Sequence, residues 1–234
     1  MFTIKIAGLN VQIDNNFRRV EYQCRDYLSD EAPAFTVAAA PEELEQERRF
    51  GEHSDGYLES ICVYRAIARR LPLYDAAVFH AAVVELDGRA FAFTAPSGTG
   101  KTTHIRLWQE RFGDRLRILN GDKPILRLMD GTIYACGTPW RGKENYGCNG
   151  IARLDGICRI ERGEQNRIQP IAPQLLLETL LHQVYVPKDG ATITQSLSLV
   201  EQIVLRVPAY VLQCNMEPEA AELSSRTLLS SRQK

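Results

Sequence analysis

The residues best suited to chemistry stand together in Ala95-Pro96-Ser97-Gly98-Thr99-Gly100-Lys101-Thr102, with Thr103 next in line. Glycines at 98 and 100 allow backbone angles that leave successive N–H groups facing one concavity, a shape that collects phosphate oxygens. Lys101 adds a cation able to reach terminal phosphates, and the Thr102 hydroxyl is of the type that ligates Mg²⁺. Such a loop works only between a strand and a helix. Ala90 to Thr94, rich in Phe, reads as a buried strand, and Thr102 to Phe112 sets Ile105, Leu107, Trp108 and Phe112 at near-helical spacing. The helix start supplies free N–H groups and a partial positive charge. This context predicts a phosphate-binding loop, and so a bound nucleotide. One departure stands out: Ala95 occupies the position where such loops usually begin with glycine.

Three further places could serve that loop. Asp122 lies about twenty residues beyond Lys101, at the end of a strand predicted over Arg115 to Leu119. An Asp there can hold Mg²⁺ or orient an attacking hydroxyl, although Asn-Gly-Asp is also an ordinary turn sequence. His80 falls in VFHAAVVEL, a run predicted to pair as a strand with the loop strand across Asp87-Gly88. A histidine there is either a satisfied core residue or a functional one. Gly137 to Gly150 (GTPWRGKENYGCNG) is Gly-rich, polar and without periodicity. Its Arg141 and Lys143, beside Trp140, suit a phosphate or an anionic acceptor. Four glycines make that backbone costly to order, so the expectation is a mobile loop that Trp140 anchors and that closes over the nucleotide's terminal phosphate when acceptor arrives. Arg153 and Arg159, at alternating strand positions, are weaker candidates.

The elements that position these residues follow from pattern and punctuation. Phe2 to Asp14 alternates around Gly8 as a hairpin, Phe17 to Leu28 reads as either helix or strand, and Phe35 to Ala39 reads as a strand. PEELEQERRF opens a helix on proline, and Ser54 or Asp55 can cap a second before Pro72. Pro124 to Met129 and Thr132 to Cys136 flank Asp130-Gly131 as a hairpin. Strands are predicted over Ile157 to Ile160, Arg167 to Ile171 and Ala209 to Cys214. Helices are predicted over Pro173 to Val186, Ser196 to Val207 and Pro218 to Leu229. The likeliest seam, Leu71 to Asp75, divides an N-terminal α+β lobe (1–75) from a nucleotide-binding and catalytic domain (76–234).

At 234 residues the chain can bury one full core with a small appended lobe. A net charge of −1 gives no electrostatic footprint for nucleic acid. No apolar run reaches membrane-spanning length, the first residues lack a signal-peptide layout, and the six cysteines form no C-x-x-C pair. A cytoplasmic protein with reduced thiols and no membrane partner is expected; a homo-oligomer is left open.

Phe79-His80-Ala-Ala-Val-Val, the Gly turn, Phe91-Ala-Phe-Thr, Pro96-Ser-Gly-Thr-Gly-Lys-Thr-Thr103 and Asn-Gly-Asp122 together resemble the HPr kinase/phosphorylase core. They also resemble the ATP site of the ATP-dependent phosphoenolpyruvate carboxykinases, which share that fold. The nearest likeness is to short HPr-kinase-like proteins that phosphorylate serine hydroxyls, including tailoring kinases of lasso peptides and other ribosomally made peptides. The resemblance covers residues 76 to 171 well and the C-terminal helices loosely. It implies an α/β fold with a P-loop kinase core of the HPr kinase/PEP carboxykinase type, a mixed sheet flanked by helices, with the N-terminal α+β lobe added. It also implies that His80 acts at the site. Two departures count. Gly121-Asp122 stands where relatives often carry Asp-Asp, so one carboxylate serves as metal ligand or base. The chain is also short for a carboxykinase and carries no evident oxaloacetate-site arginine set.

The resemblance therefore implies an ATP- and Mg²⁺-dependent phosphotransferase acting on a Ser or Thr hydroxyl of a peptide or protein. The nucleotide would be held by Pro96, Ser97, Gly98, Thr99, Gly100, Lys101, Thr102 and Thr103. The metal would be held by Thr102 and Asp122, and the chemistry served by Asp122, Lys101, His80, Arg141 and Lys143. A kinase of a small hydroxyl compound such as free serine, and a non-catalytic nucleotide-binding regulator, are the alternatives.

Overall fold

The computed structural model describes residues 1–231. Strands β1 (Phe2–Ile6) and β2 (Leu9–Asp14) form the expected hairpin, closed by Ala7 and Gly8, both at positive φ. The ambiguous stretch after it is helical: α1 (Arg18–Gln23) and then a short 3-10 turn (Arg25–Tyr27). Strand β3 (Phe35–Ala38) joins β2 in parallel to complete a three-stranded sheet. Helix α2 (Pro41–Arg48) starts on proline, whose fixed φ suits a first turn. Ser54 occupies the N-cap position of α3 (Asp55–Arg70), but its hydroxyl makes no capping bond.

A nine-stranded sheet follows. Its elements are β4 (Ala76–Val78), β5 (Ala82–Leu86), β6 (Arg89–Thr94), helix α4 (Lys101–Phe112), β7 (Leu116–Asn120), β8 (Ile125–Met129) and β9 (Thr132–Cys136). Then come β10 (Ile151–Arg162), β11 (Arg167–Pro170), α5 (Pro173–Gln183), α6 (Gly190–Arg206), β12 (Ala209–Cys214) and α7 (Pro218–Ser230). The order is β4-β8-β9-β10-β6-β5-β7, with β12 along the last part of β10 and β11 beyond it. β6 runs parallel to β10, and β7 runs the same way because both β6 and β7 are antiparallel to β5. The carboxyl ends of β6, β7 and β10 therefore share one edge, the place where open α/β sheets hold ligands.

Helix α6 starts at Gly190, six residues before the expected Ser196, and two strands differ from the sequence reading. VFHAAVVEL is two strands rather than one. β4 pairs with β8 at one side of the sheet, β5 pairs with β6 toward the other, and His80 sits in the break. His80 is thus not on the strand paired with β6. The backbone there bonds outside any ladder: the Phe79 N–H donates to Pro124 O, that of His80 to Gln183 O and that of Ala81 to Asp122 O. β10 begins six residues earlier than its alternation suggests, and its register against β6 shifts between Leu154 and Gly156. That bulge changes which parity faces which layer. Ala152, Leu154 and Ile157 pack with Leu176, Leu180 and Leu199 of α5 and α6. Cys158 and Ile160 pack with Ile105 and Trp108 of α4 and Leu228 of α7.

Helices thus cover both faces of the large sheet. A third apolar cluster joins the two sheets, for Ile4, Val11, Val63 and Ile67 pack with Val78, Ile125, Cys136 and Trp140. The six cysteines are free thiols, five buried and Cys148 half-buried; burial pushes Cys24 and Cys136 up to about 12. Among the described residues, no helix is long and apolar enough to cross a membrane.

Candidate functional site

Between β6 and α4 the chain makes a turn with Gly98 at φ +75° and Gly100 at φ +127°. A Cβ at either would meet nothing within 4 Å, so these glycines answer to backbone angle and open space rather than crowding. Ala95 is not among the residues at positive φ; it is buried against Phe93 and Ile105, which accounts for a non-glycine at the loop's first position. Pro96 and Ser97 are exposed, Thr99, Thr102 and Thr103 half-buried. Lys101 is buried and curls back so that Nζ donates to Ala95 O at 2.8 Å. Desolvation pulls its pKa down, against a smaller upward pull from Asp122. A desolvated ammonium with a carbonyl for company, at a helix start, is poised for an anion.

Asp122 reaches the same edge from the end of β7. Asn120, fully buried, builds the turn that presents it: its Oδ1 accepts from the N–H groups of Asp122 (2.8 Å) and Lys123 (2.7 Å). Its Nδ2 donates to Thr138 Oγ1 and Trp140 O. The Asp122 carboxylate meets His80 Nε2 at 3.3 Å through Oδ1 and Lys123 Nζ at 3.1 Å through Oδ2. The His80 hydrogen bond, outweighing desolvation and helped by Lys123, holds Asp122 down at about 2. His80 is held in turn by the end of α5, with Nδ1 2.8 Å from Gln183 Oε1, and its carbonyl accepts from Thr94 Oγ1 at the end of β6. His80, Asp122 and the phosphate-loop strand are therefore knit into one group. At neighbouring Gly121 a Cβ would come within 3.2 Å of Tyr146 Cβ, a tight fit for any side chain.

Gly137 to Gly150 is irregular, as expected, but packed rather than loose, which corrects the expectation of a mobile loop. Backbone bonds join Gly121 N to Tyr146 O, Cys148 N to Leu119 O and Gly137 N to Gly150 O. A Cβ at Gly137 would overlap the Cys148 carbonyl oxygen. One at Gly142 would come within 2.8 Å of Asp122 Cβ, and one at Gly147 within 2.9 Å of Leu119 O. These glycines permit close approach. Trp140 stacks on Tyr64 with ring centroids 4.2 Å apart and donates from Nε1 to Ser60. The Tyr64 hydroxyl donates to Lys123 O at 2.7 Å, so the N-terminal part supports the Asp122 turn.

The two loop cations part company. Arg141 is not left free: it turns toward the N-terminal part, donating to Asp26 at 3.3 Å and lying over the Tyr27 ring. Lys143 is exposed. Arg153 is engaged with Asp155 and Arg89 in a network that ends on α7 carbonyls, near the start of β10 and away from its carboxyl end. Arg159 donates to Thr179 and pairs with Glu161. Sequence reasoning missed Gln183, a residue type without signal at a helix end. It also passed over Asn120, whose place two residues before Asp122 is the spacing of an Asx turn.

A pocket of about 630 Å³ opens on the other flank of the phosphate loop, lined by Gly98, Gly100, Thr103, Leu107, Ile160 and Met216 among others, but not by His80, Asp122 or Arg141. Its walls are mostly apolar, with Arg162, Glu164 and Asn215 among the polar groups on its lining.

No protein-family model matches the chain, and no curated protein matches it. Among solved structures the chain is similar in fold to the Hpr(Ser) kinase/phosphatase from Coxiella burnetii. The TM-score is 0.37 at 10% identity, covering 66% of this chain and 99% of that one.

Proposed function

We propose that the chain is an ATP- and Mg²⁺-dependent kinase that transfers the γ-phosphoryl group to a hydroxyl, with Ser or Thr of a peptide or protein as the acceptor class. The observation that carries this reading is the ionised Asp122, held by His80 at a strand end adjoining a lysine-bearing phosphate loop. The residues fit the groups required. Loop amides and the desolvated Lys101 suit a triphosphate, and the pocket beside Gly98 and Gly100 suits its base. Thr102 makes no hydrogen bond to another described side chain. Thr102 and Asp122 are the residues that would hold a Mg²⁺, with phosphate and water oxygens completing its shell.

When bound, Mg²⁺ neutralises charge on the phosphates. Lys101 then stabilises the negative charge that develops on the transferred group, and the loop amides hold that group in line. A carboxylate held at about 2 is a poor proton acceptor at neutral pH. This favours Asp122 as metal ligand and orienter of the acceptor hydroxyl, with His80 fixing its rotamer. Lys143 and Glu144 lie exposed beside Gly142, which touches Asp122, and such an open surface suits a peptide better than a small molecule.

The test is phosphoryl transfer from labelled ATP to Ser- and Thr-containing peptides. Asp122→Asn should lower turnover by about a thousandfold and raise the Mg²⁺ requirement. Near-normal transfer in that variant, or no ATP binding by the unaltered protein, would refute the reading.

A further inference from the structure

Arg162 ends β10, three residues beyond the pairing of Arg159 with Thr94, so it stands level with the phosphate loop. The bulge at Leu154/Gly156 puts it on the same face as Cys158 and Ile160, which pack toward α4. One edge of its guanidinium grips the loop: Nη2 donates to Gly98 O at 2.6 Å and Nε to Thr99 O at 3.4 Å. Those two carbonyls belong to the peptide planes on either side of Thr99.

In a trans peptide the carbonyl and the following N–H point opposite ways. Holding the Gly98 carbonyl outward turns the Thr99 N–H inward, and that N–H donates to Pro96 O at 3.3 Å, closing the turn. Holding the Thr99 carbonyl outward does the same for the N–H of Gly100. Both planes adjoin a glycine at positive φ, where backbone freedom is greatest and an outside constraint has most to remove. We infer that Arg162 is a positioning residue for the phosphate loop, fixing those peptide planes so that the turn is closed and the Gly100 amide is set before a ligand arrives. This rests on the nucleotide-binding reading above. It assigns Arg162 to loop carbonyls rather than to the ligand, and a fork of adjacent donors suits two successive carbonyls better than a single ammonium does.

The experiment compares Arg162→Met, which keeps the apolar stem, with Arg162→Lys. In the nucleotide-free Arg162→Met protein, amide exchange at Thr99 and Gly100 should speed up while the melting temperature stays unchanged, since the side chain is exposed. ATP affinity by calorimetry should fall about tenfold, adenosine affinity should hold, and Arg162→Lys should recover part of the loss. Unchanged exchange in the free protein overturns the inference, because Arg162 would then act on the ligand directly or not at all. Equal losses for ATP and adenosine also overturn it, as a mere pocket wall would give. If the unaltered protein binds no ATP, the nucleotide reading itself fails, a result separable from all of these.

Discussion

Two glycine-rich turns meet at the carboxyl edge of the large sheet, and they use glycine for opposite reasons. In Ala95 to Thr102, Gly98 and Gly100 adopt positive φ and look onto open space. In Gly137 to Gly150, the glycines let backbone press against backbone and against Asp122. One turn is open, as the proposed nucleotide requires; the other is already full. The lesson is that glycine content marks a constraint without saying whether it comes from a ligand or from the protein. Neighbours decide between the two.

The sharpest way to break the comparison is Gly137→Ala against Gly100→Ala. The first drives a methyl into the Cys148 carbonyl and should cost several kcal/mol, on the order of 4 or more, or prevent folding. The second should cost about 2–3 kcal/mol of backbone strain, still less than the first, and show also as weaker ATP binding. Denaturant melts of both would read it, and comparable losses of stability would erase the distinction.

Next in size is Lys101→Ala. Removing the cation should raise the transfer barrier by about 2–4 kcal/mol, yet leave stability unchanged or better, because a desolvated ammonium is lost. Turnover and melting temperature, measured together, check it; a destabilised variant would make the hollow turn structural.

A third effect separates the turns by pH. His104, in the first turn of α4, is buried beside Ser224, and desolvation pushes its pKa down to about 4 from 6.5. Its native state is neutral where the unfolded chain is charged, so its stability contribution is full above pH 6.5 and is lost as pH falls toward 4. The loss is on the order of 3 kcal/mol. His104→Gln, unable to titrate, should flatten that part of the urea-melt profile; an unchanged slope would place the proton elsewhere.

The smallest effects belong to the full turn's cations. Arg141→Ala breaks the contact with Asp26 and should raise acceptor KM about tenfold, while exposed Lys143→Ala should change it only a few-fold. ATP affinity should hold in both. Equal, large losses for the two would mean that Arg141 leaves Asp26 during turnover.

What was legible in the sequence was local. Strand, glycine turn and helix are contiguous around Lys101, so pattern alone locates the hollow turn, and Asp122 follows at the next strand end. What was hidden depended on distant partners. The break at His80 exists because Ala76–Val78 pairs with β8, some fifty residues on. The face taken by Arg162 depends on one extra residue near Gly156, and simple alternation through β10 misses it. Gln183 matters only because the end of α5 lands on His80.

The break at His80 also carries a consequence for the order of folding. The hairpins β5–β6 and β8–β9 join neighbours in sequence and close cheaply, whereas β4 reaches β8 only after a long loop is drawn in. His80 is tethered to both sides of that event. The contact between His80 and Asp122 therefore waits on a non-local closure, as does the β6–β10 pairing at the centre of the sheet. A chain that had formed only its local hairpins would still lack the pair to which the proposed chemistry is assigned.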